Sequence, residues 1–152
     1  MSYNYLENVQ NLNREHRLRL DWFYENSDKI TGWPDKVSNK YLLVSKAKGI
    51  FKPRDLKYAL SVRENIDSSY DDKKVMYGEN NQWTYTYHQE GFTSEDLKSL
   101  YTNRSLTYCF MDKIPVGVIK QIKKKPDPEY LILGCALVDT ISNNHFVLKG
   151  LN

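Results

Sequence analysis

The chain has 152 residues, of which 40% are hydrophobic and 27% charged, and its formal net charge is +3. This length and composition suit one globular domain, and no apolar run approaches the roughly 20 residues of a membrane-spanning helix. The net charge is too small to require a nucleic-acid partner by itself. Cys109 and Cys135 lack CxxC spacing and a nearby zinc set, which predicts reduced thiols and a cytoplasmic protein without a metal. We also expect the protein to be soluble and to need no other cofactor.

The first predicted element is an amphipathic helix from Tyr5 to Tyr24, because apolar residues recur there at steps of three and four. The turn "TGWPD" ends it. We interpret residues 1–38 as an N-terminal helical extension and residues 39–152 as the main domain. In that domain, "KYLLVS" at 40–45 has the length and composition of a strand, and "GIFKPRDL" reads as a turn.

The rest of the chain alternates strand-like runs with helical segments. "YALSVREN" nearly alternates and predicts a strand, although its Ala and Leu leave a helix open. A helix is expected from Thr93, where a capping residue precedes acids, and a second over 103–113. Strands are predicted at 82–89, 116–124, 130–138 and 145–150. The combination predicts an α+β fold with a strongly curved mixed sheet or a small barrel.

The strand "QWTYTYHQ" carries Trp83, Tyr85 and Tyr87 at every second position. A strand turns alternate side chains to the same face, so the three rings share one side of the sheet. That side is either a buried core, with Thr84 and Thr86 outside, or the wall of a pocket. Tyrosine slightly favours a pocket, because a buried hydroxyl needs a partner.

Positive charge is concentrated in two stretches. Between Lys36 and Lys57 there are seven basic residues against the single acid Asp55, and Lys123, Lys124 and Lys125 form a second cluster. Basic surfaces of this kind suit a polyanion such as DNA, and an ordinary solvated face is the equal alternative. Arg104 is a further candidate for a phosphate contact, because the helix dipole does not favour a cation in the first turn.

Four sequence blocks occur in a characteristic order: "KGIFKPRDLKYALSVRENI", Tyr70-Asp71-Asp72, "WTYTYHQEG" and "NRSLTYCFMDKIPVGVIKQI". Together they resemble the domain that precedes the nuclease in McrA-type bacterial HNH restriction endonucleases, which is similar to the SRA (SET- and RING-associated, PUA-like) fold. The resemblance covers about residues 47–150. It implies recognition of modified DNA, with cleavage by a C-terminal HNH module that this chain does not contain.

A reader of this kind extrudes the modified cytosine from the double helix, at a cost of a few kcal/mol in stacking and pairing. One aromatic ring returns about 1–3 kcal/mol per stacked base, and an aspartate can accept from the exocyclic amine of cytosine. The expected base pocket consists of Tyr70, Asp71, Asp72, Trp83, Tyr85 and Tyr87. The expected contacts to the DNA backbone are Lys52, Arg54, Arg63, Arg104, Lys123, Lys124 and Lys125. For Asp71 and Asp72, plain turn chemistry is an equal alternative.

Two other functions stay open from the sequence. The chain could be a small nuclease that uses His88 with Asp71 or Asp72 and a metal, or a barrel that binds RNA. Against catalysis, the three histidines lie in different predicted elements, and HExxH, phosphate-loop and GxSxG motifs are missing from the sequence. The residues do not specify which modification of cytosine is read.

Overall fold

The computed structural model describes residues 4–46, 49–66, 75–79, 82–88, 101–142 and 145–151. It begins with two helices, α1 (Tyr5–Val9) and α2 (Arg14–Glu25), where the sequence predicted one. The interruption has a local cause. Asn13 caps α2, and its side-chain oxygen accepts a hydrogen bond from the His16 backbone N–H at 2.8 Å, which is the role that favours asparagine at a helix start.

The described strands form one mixed sheet. They are β1 (Ile30–Thr31), β2 (Ile50–Phe51), β3 (Ser61–Glu64), β4 (Met76–Tyr77), β5 (Trp83–His88), β6 (Val116–Lys123), β7 (Glu129–Ile141) and β8 (His145–Gly150), with helix α3 (Tyr101–Asp112) between β5 and β6. The order is β2-β3-β6-β7-β8-β5-β4, with β1 on β7, and β3 and β6 run parallel. No pairing among the described residues joins β2 to β4. The mixed α+β sheet is therefore confirmed, and the small barrel is not.

Irregular pairing bends the central strands. The register shifts between Val118 and Ile119 in β6, between Gln121 and Lys123 near its end, and between Val138 and Thr140 in β7. Opposite Val118, Gly134 has a φ of 120°, a conformation open to glycine but strained for other residues. Such bulges increase the local twist and bend a strand.

Both faces of the sheet are buried. On one face, α3 packs over a core that includes Leu133 and Val138 of β7 together with the aromatic row of β5. On the other, α2 packs over a second core that includes Ile132 and Cys135 of the same strand. Strands covered on both faces read as continuous apolar runs, and this is why β6 and β7 were visible in the sequence.

The N-terminal helices supply the cover of the second face. Phe23 of α2 lies directly on Gly117 of β6, where an added Cβ would be only 2.3 Å from the Phe23 ring. The helices thus share a buried core with the sheet. The division at residue 38 stays a prediction.

The predicted strand at 40–45 was wrong. Leu43 and Val44 are buried, but the segment forms only an isolated bridge between Val37 and Tyr41. Its carbonyl groups bind side chains instead of a neighbouring strand, since the Ser61 hydroxyl donates to the Leu43 oxygen at 2.7 Å. The apolar composition of this segment predicts that it is buried, but a buried segment need not form a strand.

The other predicted elements have mixed outcomes. Strands at "YALSVREN", "QWTYTYHQ" and the three C-terminal runs are confirmed, as is the helix near 103–113. The predicted turn "GIFKPRDL" contains the short strand β2. The helix expected from Thr93 lies outside the described residues. Within the part of the chain that is described, no helix is long and apolar enough to cross a membrane.

Candidate nucleic-acid interface

A cavity of about 600 Å³ opens where the parallel strands β3 and β6 end. Its walls come from these two strand ends, the hairpin between β6 and β7, and the segments that follow β1 and precede β2. We call it the Trp33 cleft. Its lining residues are Trp33, Lys46, Arg63, Asn65, Gln121, Lys124, Lys125, Pro128 and Tyr130.

Two aromatic rings form the floor of the cleft. The centroids of Trp33 and Tyr130 lie 5.6 Å apart and the rings meet edge to face at 76°, a favourable geometry for such a pair. Strand pairing brings them together, because Thr31 of β1 is the partner of Tyr130 in β7. Tyr130 is buried, whereas Trp33 is partly buried, so Trp33 is the more accessible of the two rings.

Arg63 projects from β3 into the cleft and is held rigidly. Its Nε and Nη2 donate to the Ser45 carbonyl oxygen at 3.2 and 3.0 Å, and its Nη1 donates to the Asn65 side chain. The guanidinium carbon lies 5.5 Å from the centroid of the Trp33 ring, within range of a cation–π interaction. The arginine, itself only 7% exposed, therefore places a fixed positive charge beside the partly buried indole.

The cleft is strongly positive. Among the described residues that line it, four are cationic and none is acidic; the cations are Lys46, Arg63, Lys124 and Lys125. Lys46 Nζ lies 5.6 Å from the Trp33 ring centroid. A concave site with one sign of charge concentrates oppositely charged ligands, so this cleft attracts anions.

Gln121 joins the two strand ends that form one wall. Its Oε1 accepts from the Ile66 backbone N–H at 3.2 Å, and its Nε2 donates to the Lys123 carbonyl oxygen at 3.2 Å. These bonds tie the end of β3 to the end of β6. Both ends of this amide are occupied, which gives Gln121 a structural role.

The structure divides the predicted backbone-contact residues. Arg63, Lys124 and Lys125 meet in the cleft. Lys123 lies outside it, with Nζ 3.7 Å from Oε2 of Glu129 in a half-exposed ion pair. An exposed pair of this kind contributes little to stability.

Lys52, Arg54 and Arg104 lie toward the other end of the parallel pair. Phe51 pairs with Ser61 at the start of β3, so Lys52 follows at the end remote from Arg63, and its Nζ donates to the Pro53 carbonyl oxygen at 3.1 Å. Arg104 is exposed on α3, one residue before Ser105, whose carbonyl oxygen accepts from Ala59. The seven predicted residues therefore do not form one patch.

The aromatic row of β5 belongs to the core. Trp83, Tyr85 and Tyr87 are only 3%, 1% and 6% exposed, and the Trp83 ring lies on Gly150, where an added Cβ would be 2.3 Å from it. The three rings are therefore buried, which agrees with the interpretation of this face as a core and not as the wall of an open pocket. Their role in base binding stays a prediction, and Tyr70, Asp71 and Asp72 lie outside the described residues.

Next to this row are two buried polar atoms, Tyr85 Oη and Glu64 Oε2, that lack a hydrogen-bond partner of standard geometry in the described structure. Burial, followed by the negative charge of Glu64, raises the pKa of the Tyr85 hydroxyl above its usual range. Successive residues of a strand face opposite sides, so Glu64 points to Tyr85 while Arg63 points into the Trp33 cleft. The aromatic row and the cleft are on opposite faces of the sheet.

The described residues do not test the nuclease alternative of His88 with Asp71 or Asp72. No set of three His, Cys, Asp or Glu side chains within them could hold a metal ion. His16 is buried, and desolvation together with the Arg19 charge lowers its pKa to about 4. Asp71 and Asp72 lie outside the described structure.

Sequence reasoning missed Trp33 and Tyr130. Trp33 was assigned to the turn after the first helix, and Tyr130 to a buried strand. The available signal in the sequence was an aromatic residue directly before a proline in a loop. In the structure this proline, Pro34, is buried and fixes the turn. Nothing in the local sequence placed that loop beside Lys124 and Lys125.

The chain has the following similarities to known proteins. Compared with KRYPTONITE in complex with mCHH DNA, an H3 peptide and SAH, it has 16% identity and a TM-score of 0.49, covering 97% of this chain and 40% of that one. Compared with the SUVH5 SRA domain bound to hemi-methylated CG DNA, it has 22% identity and a TM-score of 0.41, covering 70% and 73%. Compared with a second SUVH5 SRA complex, which contains fully methylated CG DNA, the chain has 17% identity and a TM-score of 0.42. That match covers 83% of this chain and 88% of the SUVH5 chain.

The chain thus spans about two fifths of the matched KRYPTONITE chain. No protein-family model matches it, and no curated protein sequence does. At this level of similarity, we base the assignment of function on the residues of the Trp33 cleft and on the sequence blocks.

Proposed function

We propose that the chain binds duplex DNA and recognises a modified cytosine, as the specificity module of a modification-dependent HNH restriction endonuclease. The observation that carries the proposal is the Trp33 cleft, in which the described lining places four cations around two aromatic rings. Phosphate groups are the natural ligand of such a surface, and aromatic rings provide stacking for bases. The order of the four sequence blocks supports the choice of modified DNA.

In this proposal the base pocket and the backbone contacts are separate. Tyr70, Asp71 and Asp72 are the residues that we propose for binding the extruded cytosine. Tyr85 Oη and Glu64 Oε2 face each other in the described structure without a hydrogen bond of standard geometry, so a ligand that reaches them gains affinity through polar groups. Arg63, Lys124 and Lys125 contact phosphates on the opposite face.

The test is binding to duplexes of one sequence that differ at a single cytosine. Unmodified, methylated, hydroxymethylated and glucosylated cytosine are compared by fluorescence anisotropy at fixed salt, because affinities at different salt concentrations are not comparable. We expect at least one modified duplex to bind about tenfold or more tightly than the unmodified one, which corresponds to about 1.4 kcal/mol. Equal affinity for all four duplexes would contradict the proposal.

Two controls address the other functions. Plasmid incubated with the chain and Mg²⁺ or Mn²⁺ should stay intact, whereas a nuclease would nick or cut it. An RNA duplex of the same sequence should compete poorly with modified DNA, because A-form RNA presents different grooves and 2′-hydroxyls. Efficient competition by RNA would favour the RNA-binding alternative.

A further inference from the structure

The Trp33 cleft is separated from the predicted base pocket by the sheet itself. Tyr130 and the residues around Trp33 pack with the core under α2, whereas Trp83, Tyr85 and Tyr87 pack with the core under α3. One base cannot stack on both groups at once. The cleft is therefore a candidate site separate from the predicted base pocket.

The size of the cleft suits a small ligand. Its volume of about 600 Å³ falls within the range of about 300–1,000 Å³ that is usual for small-molecule sites. Tyr130 supports Trp33 from one edge, and Arg63 is fixed by hydrogen bonds to Ser45 and Asn65. The partly buried indole is thus held in place before a ligand arrives, which lowers the entropic cost of binding.

The chemistry of the cleft suits a nucleotide. Trp33 offers a stacking face, and Lys124 and Lys125 supply charge from the neighbouring hairpin. Inorganic phosphate would bind the cations but make no stacking contact with the indole. A cationic ligand would be repelled by the four positive groups. In a double helix both faces of each base are already stacked, so only a nucleotide outside the helix can present a face to Trp33.

We propose that the Trp33 cleft binds a single nucleotide outside the double helix, with its base on Trp33 and its phosphate on Lys124 and Lys125. This second site rests on the proposed function in so far as it takes the ligand to be nucleic acid. It does not depend on recognition of a modified cytosine. The cleft would hold a displaced or single-stranded nucleotide next to the duplex, whose neighbouring phosphates the same cations attract.

The first experiment measures binding of a short, labelled single-stranded oligothymidylate to the whole chain by anisotropy. Trp33→Leu should weaken this binding by roughly 5- to 150-fold, the range for the loss of one stacking ring. Trp22→Leu is the matched control, since Trp22 lies in α2 and contacts Phe23 outside the cleft. Equal binding by wild type and Trp33→Leu, or no binding by wild type, would overturn the proposal.

A second measurement covers the case in which Trp33→Leu fails to fold. Stacking of a base on an indole quenches its fluorescence, so the oligonucleotide should quench the wild-type protein and quench Trp33→Phe much less. The phenylalanine retains an aromatic ring and removes only the reporter. Equal quenching in the two proteins would place the base elsewhere and overturn the proposal.

The contribution of the lysine charges to binding is tested by a separate pair of variants. Replacing Lys124 and Lys125 together by alanine should reduce the slope of log affinity against log salt by about 1.4 on single strands, at about 0.7 for each phosphate contact. Lys29→Ala is the control, because the Lys29 Nζ donates to Asn26 Oδ1 outside the cleft. Full displacement of the oligonucleotide by millimolar inorganic phosphate, with no effect of Trp33→Leu, would indicate an anion site only and overturn the proposal.

These outcomes separate the two proposals. Trp33-dependent binding of single strands without preference for modified duplexes would sustain the nucleotide site and overturn the proposed function. The opposite result would be a preference for a modified duplex that persists in Trp33→Leu, with single-strand binding that does not depend on Trp33. This result would support the proposed function and overturn the nucleotide site.

Discussion

At the scale of single residues, His16 shows how burial controls a charge. The side chain is only 2% exposed, its Nε2 has no hydrogen-bond partner in the described structure, and the cation of Arg19 is nearby. Both effects disfavour the imidazolium, so the pKa falls from its usual 6.5 to about 4. The histidine is a neutral core residue and not a catalytic base.

This burial makes folding stability depend on pH. Between about pH 6.5 and 4 the unfolded chain binds a proton at residue 16 and the folded chain does not, so stability falls as the pH is lowered through that window. The loss contributed by His16 amounts to about 3 kcal/mol and levels off below pH 4. Urea unfolding of the wild type and His16→Gln at pH 7 and 4.5 measures it, with the variant correcting for other groups. Equal losses in both proteins would contradict the prediction.

Tyr85 gives a second prediction at this scale. Its hydroxyl is buried and faces the Glu64 carboxylate, but no hydrogen bond of standard geometry joins it to a partner among the described residues, and a poorly satisfied buried group costs about 1–3 kcal/mol. Tyr85→Phe should therefore leave the free energy of unfolding unchanged or raise it by about 1 kcal/mol, while Trp83→Ala should lower it by about 3–5 kcal/mol as a truncation in the core. Thermal and urea melts decide. A clear loss of stability in Tyr85→Phe would show that its hydroxyl is hydrogen-bonded.

Tyr85→Phe also tests the base pocket. If the hydroxyl contacts the extruded cytosine, the stable variant should lose affinity for modified DNA and keep its weaker binding to unmodified DNA, because base contacts carry specificity and phosphate contacts do not. Unchanged affinity for both duplexes would exclude that hydroxyl from the pocket.

At the scale of elements, the strands show what composition can predict. The apolar runs that became β6 and β7, and the alternating run of β5, were recognised because β-branched and aromatic residues fit a pleated, buried surface. The segment 40–45 has a similar composition and forms no strand, since its carbonyl oxygens accept from Ser61 and Arg63. Local composition reports burial, whereas the choice of hydrogen-bond partner depends on residues elsewhere in the chain.

The contact between α2 and β6 leads to a prediction about packing. In Gly117→Ala the new Cβ would lie 2.3 Å from the buried Phe23 ring, so the ring and helix must shift, at a cost of about 1–3 kcal/mol. Phe23→Leu should relieve part of that cost, although it loses core volume itself. Denaturant melts of both single variants and the double variant measure the coupling. Additive effects would mean that the two residues do not compete for space.

At the scale of the whole molecule, positive charge lies at both ends of the parallel strand pair. Arg63, Lys124 and Lys125 are at one end, and Lys52, Arg54 and Arg104 lie toward the other. From Leu60 to Asn65 the chain advances about 17 Å at the rise of a strand. A DNA duplex would have to follow the sheet over this length to contact both groups.

Salt dependence distinguishes the two ends. Replacing Lys124 and Lys125 by alanine should reduce the slope of log affinity against log salt on duplex DNA by about 1.8, at about 0.9 for each phosphate contact. The pair Lys52→Ala and Arg54→Ala should reduce it by a similar amount only if the duplex reaches that end. An unchanged slope in the first double variant would remove the cleft from the DNA interface. In either pair, weaker binding should affect modified and unmodified duplexes alike.

The sequence by itself determined the fold class and most of the sheet, because the period of the apolar residues and the turn residues between them are local properties. It also identified the residues that bring charge to the cleft. Only the tertiary structure decided which of them meet. Trp33 reaches Tyr130 because β1 pairs with β7, and the aromatic row of β5 is buried because Gly150 leaves room for Trp83. Both contacts join parts of the chain that are distant in sequence, and such contacts depend on the packing of the whole sheet.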